Sequence, residues 1–197
     1  MSEGDVNTGR RRFLVGATSV VGGVGVIGAA VPFVASWNPS AKAKAAGAPV
    51  KANISKLEPG QRMTVEWRGK PVWILRRTKE MLDNIEKIGD RMRDPGSAEP
   101  QQPAYVKGVF RATRPEIAVI VGICTHLGCS PQFVPDMTPQ EFDAEWVGGF
   151  FCPCHGSKFD LAGRVYQGVP APKNLEVPPY KYIDDNNIII GVDEEAA

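Results

Sequence analysis

The chain has 197 residues, with 23 Lys plus Arg against 22 Asp plus Glu and a formal net charge of +1. That balance leaves no basic footprint for nucleic acid, and the length gives room for one ordinary domain with extra elements rather than two large ones. Gly (21) and Pro (17) are abundant, which suits a loop-rich β protein better than a helical bundle.

At the N-terminus, Arg10-Arg11-Arg12 stands directly before Phe13-Leu14, the pattern of a twin-arginine export signal. Residues 13–41 carry no charged side chain. The apolar part, 14–34, would make on the order of 30 Å of helix at about 1.5 Å per residue, enough to cross a bilayer core. It also exceeds the roughly 7–15 apolar residues of a cleaved signal. The sequence therefore predicts a retained transmembrane anchor over 13–36, behind a cytoplasmic N-terminus over 1–12. The competing reading is cleavage at Ala41-Lys42-Ala43, a small-x-small pattern that a signal peptidase accepts. Arg10 to Arg12 favour a cytoplasmic start, although Lys42, Lys44 and Lys51 beyond the span blunt that charge argument. Trp37 follows the span, where an aromatic ring suits the membrane interface. Residues 37–50 are small and polar without apolar periodicity and read as a flexible linker that lets a head domain move while its anchor stays put.

The folded domain is expected over 51–197. Residues 62–67 alternate apolar and polar, Arg68-Gly69-Lys70 marks a turn, and 71–75 is a second apolar run, together a β-hairpin. Met81, Leu82, Ile85, Ile88 and Met92 recur at helical spacing between Thr78 and Asp94-Pro95-Gly96, predicting one amphipathic helix over 78–93 with Thr78 as N-cap. Apolar runs at 117–123 and 146–151 predict strands, and 180–183 with 187–192 predicts a closing hairpin turned at Asp184-Asp185-Asn186. The segment 130–145 holds Pro131, Pro135 and Pro139 and reads as surface structure without deducible chemistry.

All four Cys and both His fall in two windows, CTHLGC from Cys124 to Cys129 and CPCHGS from Cys152 to Ser157. Each window follows a predicted strand, so each sits in a loop. Two thiolates and two imidazoles, Cys124 with His126 and Cys152 with His155, match a two-iron, two-sulfide cluster held by two Cys on one iron and two His on the other. A structural zinc uses the same ligand types, but Cys124-x-His126 is tight for the usual spacing of two to four residues between ligands. Haem attachment needs C-x-x-C-H, and Cys152-Pro153-Cys154-His155 is one residue short; a C-x-x-C redox motif is missing for the same reason.

These motifs, with an additional Cys in each window, resemble the Rieske subunits of proteobacterial cytochrome bc complexes, and weaker similarity extends over nearly the whole chain. The resemblance implies a mainly β fold: an antiparallel β-sandwich with one helix and an inserted cluster-binding subdomain over about 122–172. It implies one Rieske [2Fe-2S] cluster, with Cys124 and Cys152 on the inner iron and His126 and His155 on the outer, solvent-side iron. It further implies that Cys129 and Cys154 form a disulfide tying the loops, and that Ser157 donates a hydrogen bond to the cluster. Leu127 would pack at the exposed tip against a quinone site, or else be an ordinary buried loop leucine. Gly168, Pro170 and Pro172 of the GVPAP segment would cover the cluster. Many members place a tyrosine two residues after the serine, where this chain has Phe159, so one hydrogen bond to a ligand cysteine is expected to be missing.

By the same resemblance the expected function is electron transfer within a quinol–cytochrome c oxidoreductase. His155 would hydrogen-bond the quinol hydroxyl and accept its proton while the iron accepts an electron. Expected partners are cytochrome b and a c-type cytochrome in a dimeric membrane complex. The expected location is the bacterial inner membrane, single-pass, with the head in the periplasm. Soluble Rieske ferredoxins and ring-hydroxylating oxygenases are the rival class; they share C-x-H and C-x2-H but generally lack the additional cysteines and the anchor.

Overall fold

The computed structural model describes residues 7–193; positions 1–6 of the expected N-terminal segment and 194–197 of the expected domain lie outside the described residues. Compactness divides the chain into two units at Ala45/Ala46. In the first, α1 runs from Thr8 to Ala35 with no buried residue among those described. It is long and apolar enough to cross a membrane by length and composition. It begins earlier than the predicted span and takes in Arg10 to Arg12, because the Asn7 side chain accepts the Arg10 N–H at 3.0 Å and caps it. Its end is closed by Ser36, whose N–H reaches the Pro32 carbonyl at 2.9 Å. The expected linker holds a second short helix, α2, Ala41–Ala46. Alanine and lysine are strong helix formers, and Ser40 Oγ accepts the Ala43 N–H at 3.1 Å.

The second unit is built from three three-stranded antiparallel sheets. β2 (Arg62–Trp67), β3 (Lys70–Arg76) and β4 (Ile117–Val121) form the central sheet in that order. Its strand faces separate cleanly, as the period of two requires. Val72, Ile74, Ile117, Val119 and Val121 pack into one core with β1 (Val50–Asn53), β8 (Tyr180–Asp184) and β9 (Asn187–Ile190), which form the order β1-β9-β8. Trp73, Leu75, Ala118 and Ile120 pack into a second core with the helical segment and the third sheet, β5 (Gln132–Val134), β6 (Gly149–Cys152) and β7 (Ser157–Phe159). β3 and β4 are thus buried on both faces, which is why β4 reads as an unbroken apolar run.

Several expectations need correction. The predicted helix stops early: α3 is Lys79–Lys87, a 3₁₀ turn covers Gly89–Arg91, and Met92 is extended and bridges Tyr166. Glycine at 89 is a poor helix former, and Met92 gains its burial from the bridge instead. The Thr78 cap is formed, its hydroxyl accepting the Met81 N–H at 3.2 Å. The strand before the second motif starts at Gly149; Trp146 is a buried core residue in the loop before it, stacked on Tyr166 at 5.9 Å. The segment 130–145 is more than surface, since it supplies β5 and the half-buried Phe142, which stacks on Phe151 at 3.9 Å. Strands β1 and β7 had not been anticipated.

Candidate metal centre

The first motif loop leaves β4 three residues after its end, and the second joins β6 to β7, with Cys152 paired opposite Ser157. The two loops close alike. The Gly128 N–H donates to the Cys124 carbonyl at 3.0 Å and the Gly156 N–H to the Cys152 carbonyl at 2.9 Å. Both glycines have left-handed backbone, φ 83° and 74°, which explains why each motif carries Gly at that point. Cys129 and Cys154 are joined in a disulfide that links one loop to the other.

Cys124 and Cys152 are free thiols, 3% and 2% exposed. Burial pushes the Cys124 thiol up from its ordinary value; a hydrogen bond from the His126 backbone works against this, and the neighbouring Cys152 adds to the rise. Adjacent buried thiols of this kind need a cation before both become thiolates. On the solvent side, the half-buried His126 and exposed His155 set their rings edge to face at 4.7 Å between centroids. Two sulfurs inside and two imidazoles outside fit a two-iron, two-sulfide cluster with its irons unequally ligated.

Around these donors, Ser157 is fully buried; its hydroxyl accepts the Ala171 N–H at 3.0 Å and also hydrogen-bonds the Cys124 thiol. The 168–172 segment buries Val169 and Ala171 and leaves Gly168, Pro170 and Pro172 exposed. It is held by Ser157 and by Arg93, whose Nη2 reaches the Val169 carbonyl at 2.9 Å. Thr125 ties the first loop to the end of this segment, its hydroxyl donating to the Lys173 carbonyl at 2.6 Å. Leu127 is 71% exposed, which excludes the buried-leucine alternative. Phe159 is fully buried opposite Phe150.

Among the described residues the Cys152 sulfur also lies within 4.8 Å of both sulfurs of the Cys129–Cys154 disulfide. Sequence reasoning also missed the polar frame. Arg111, fully buried, donates to the carbonyls of Ala162, Gly163 and Leu175 and to Gln102 Oε1, and burial pushes its pKa down to about 10. Asp160 and Arg164 form a buried ion pair at 2.7 Å. Asp143 accepts from both Arg91 and Lys158 at 2.8 Å. Asp160 and Arg164 stand four residues apart in a non-helical turn shortly after the second motif, where a charge pair at that spacing carries no helix-face signal in the sequence.

Paired Cys and His donors on two hairpin-like loops, with buried sulfurs and outward imidazoles, define a Rieske-type centre. The family described as "Rieske [2Fe-2S] domain" matches residues 98–181, and that described as "Ubiquitinol-cytochrome C reductase Fe-S subunit TAT signal" matches residues 1–40. The ubiquinol–cytochrome c reductase iron–sulfur subunit of Allochromatium vinosum is 56% identical over 197 residues, covering 100% of this chain and 95% of that protein. The corresponding subunit of Bradyrhizobium diazoefficiens is 43% identical over 183 residues, covering 92% and 94%. Among solved structures, a chain titled "Hyperthermophilic respiratory Complex III" is 28% identical with a TM-score of 0.47, over 90% of this chain and 98% of that one. The chain belongs to the family of Rieske iron–sulfur subunits of ubiquinol–cytochrome c reductase and carries a Rieske [2Fe-2S] cluster. It is an electron-transfer subunit of that oxidoreductase complex, with a twin-arginine signal and an apolar helix that fit a membrane-anchored protein.

Proposed function

We propose that Cys124, Cys152, His126 and His155 hold the cluster and that this subunit takes electrons from quinol and hands them to a c-type cytochrome. The observation that carries the reading is the pair of outward imidazoles, 4.7 Å apart, above two buried free thiols. When bound, the cluster supplies a one-electron carrier whose two neutral ligands make reduction easier than four thiolates would. The protein residues do the rest. His155, the exposed member of the pair, hydrogen-bonds the quinol hydroxyl and receives its proton on the ring nitrogen not used for iron. Leu127, next to His126 and exposed, seats the tip against the quinone site of cytochrome b. The Gly168, Pro170 and Pro172 loop keeps water from the donors, with Ser157 fixing its position.

In this reading residues 13–36 anchor a single-pass subunit in the bacterial inner membrane, 1–12 lie in the cytoplasm, and 51–197 form the periplasmic head. Residues 37–50 connect them, and the complex is dimeric with cytochrome b and a c-type cytochrome. Anchor, disulfide and export signal together favour this over a soluble ferredoxin feeding an oxygenase. The decisive measurement is electron paramagnetic resonance of the reduced protein in wild type and His155→Ala, paired with quinol–cytochrome c turnover in membranes. The wild type should give the low average g value of a nitrogen-ligated two-iron centre, and the variant should lose signal and turnover together. Normal turnover in His155→Ala would rule the assignment out.

A further inference from the structure

The core carries an excess of buried positive charge. Arg77, Arg111 and Arg164 are 3%, 0% and 0% exposed, and the fully buried carboxylate that acts on all three is Asp160. Asp160 pairs directly with Arg164 at 2.7 Å, which leaves two guanidiniums held by neutral groups. Arg77 Nη1 donates to the Phe110 and Leu161 carbonyls at 2.9 and 3.4 Å, while its Nε and Nη2 have no hydrogen-bond partner among the described residues. Arg111 donates to the Ala162 and Leu175 carbonyls at 3.1 and 2.7 Å and, through Nε, to Gln102 Oε1 at 2.8 Å. The half-buried Asp94 acts on Arg111 and the exposed Glu116 on Arg77, both from positions that water reaches. Burial lowers both arginines to about 10, so both are charged at neutral pH.

The carbonyls they hold belong to segments beside the motif loops. Leu161 and Ala162 follow β7, whose first residue, Ser157, hydrogen-bonds the Cys124 thiol; four extended residues span at most about 14 Å. Leu175 stands two residues after Lys173, whose carbonyl takes the Thr125 hydroxyl at 2.6 Å. Both guanidiniums therefore lie on the order of 15 Å from the first motif. At that range, with an effective dielectric of about 20, one unit charge changes a one-electron equilibrium roughly sixfold, or about 45 mV. We propose that Arg77 and Arg111 are potential-setting residues, whose buried charges favour the reduced centre with its one additional negative charge and so raise the midpoint potential. One electron arrives from the donor, and both guanidiniums keep their protons throughout. The proposal rests on the ligand set given above.

The test is a redox titration of the full-length protein at pH 7, followed by electron paramagnetic resonance in low and high salt. Gln102→Glu sets a carboxylate against Arg111 and should lower the midpoint by roughly sixfold in the reduction equilibrium. Gln102 also donates to the Val106 carbonyl at 2.7 Å, so Gln102→Leu, which loses both bonds without adding charge, is the control and should stay near wild type. Arg111→Gln and Arg77→Gln should each lower the midpoint comparably. The shifts should persist in high salt, because buried charges are little screened, and the line shape, which reports the ligands, should match wild type. An unchanged or higher midpoint in Gln102→Glu, an equal fall in Gln102→Leu, or shifts that vanish in high salt would overturn the proposal and leave the ligand set standing. Where an arginine replacement prevents cluster assembly, the comparison of Gln102→Glu with Gln102→Leu decides alone. A wild-type spectrum without the low average g value would sink the ligand set, and this proposal with it.

Discussion

Phe159 sits fully buried on the strand that begins with Ser157, facing Phe150 across the sheet. Phe159→Tyr offers the ligand cysteines a hydroxyl donor, which favours the more negative reduced state, so protein-film voltammetry should show a higher potential than wild type. An unchanged or lower value would refute the missing-bond reading. Thermal melting supplies the companion readout, since a tyrosine hydroxyl buried without a partner would cost about 1–3 kcal/mol. Asp160 and Arg164 are, at 1% and 0% side-chain exposure, the most buried ion pair among the described residues. Asp160 also accepts the Ala162 and Arg164 N–H groups, and Arg164 donates to the Ile85 and Pro95 carbonyls. Asp160→Asn leaves a buried guanidinium without its anion and should cost about 3–5 kcal/mol in denaturant unfolding. A loss below 1 kcal/mol would mean that the backbone bonds alone hold this corner. At this scale the two motif windows were legible in the sequence because iron chemistry admits few residue types. The burial of Arg111 was not, because nothing local distinguishes an arginine surrounded by carbonyls from one in water.

At the level of elements, the segment between the two motifs is tied down through Asp143. Its carboxylate joins Arg91 on the 3₁₀ turn to Lys158 on β7. Burial alone would raise its pKa, but the hydrogen bonds from Lys158, Arg91 and the Glu145 N–H outweigh it and hold the carboxyl below the ordinary range. A carboxyl depressed on folding contributes stability that is fully present above its unfolded value of about 3.9 and is lost as pH falls through the lower folded value. Unfolding followed from pH 6 downward should therefore show a steeper acid loss in wild type than in Asp143→Asn, and parallel curves would count against the clamp. Sequence periodicity had passed over this segment because β5 has only three residues, too few for alternation to register. The same limit hid β7, and the helix was drawn too long because Met92 keeps helical spacing while leaving the helix. The central hairpin and the closing hairpin were legible because their strands alternate over longer runs and turn at strongly marked residues.

For the whole molecule, every buried hydrophobic residue of the two cores lies within 46–197, and α1 buries nothing among the described residues. A chain starting at residue 46 should thus remain soluble, keep its cluster spectrum and melt as the full chain does, while failing to restore quinol–cytochrome c turnover to membranes lacking the subunit. Loss of the cluster spectrum on truncation would show that the first unit supports the fold. The apolar helix was legible as composition, yet its start depended on Asn7, a single capping side chain.

Each motif loop brings one free cysteine and one histidine, so neither can hold an iron pair by itself. On the ligand set proposed above, the cluster would also be a rivet between the two motif loops, and opening either loop should release both irons. Iron content then becomes a tally of intact heads: in an ageing preparation, colour and tertiary structure at the tip should fade with one half-life.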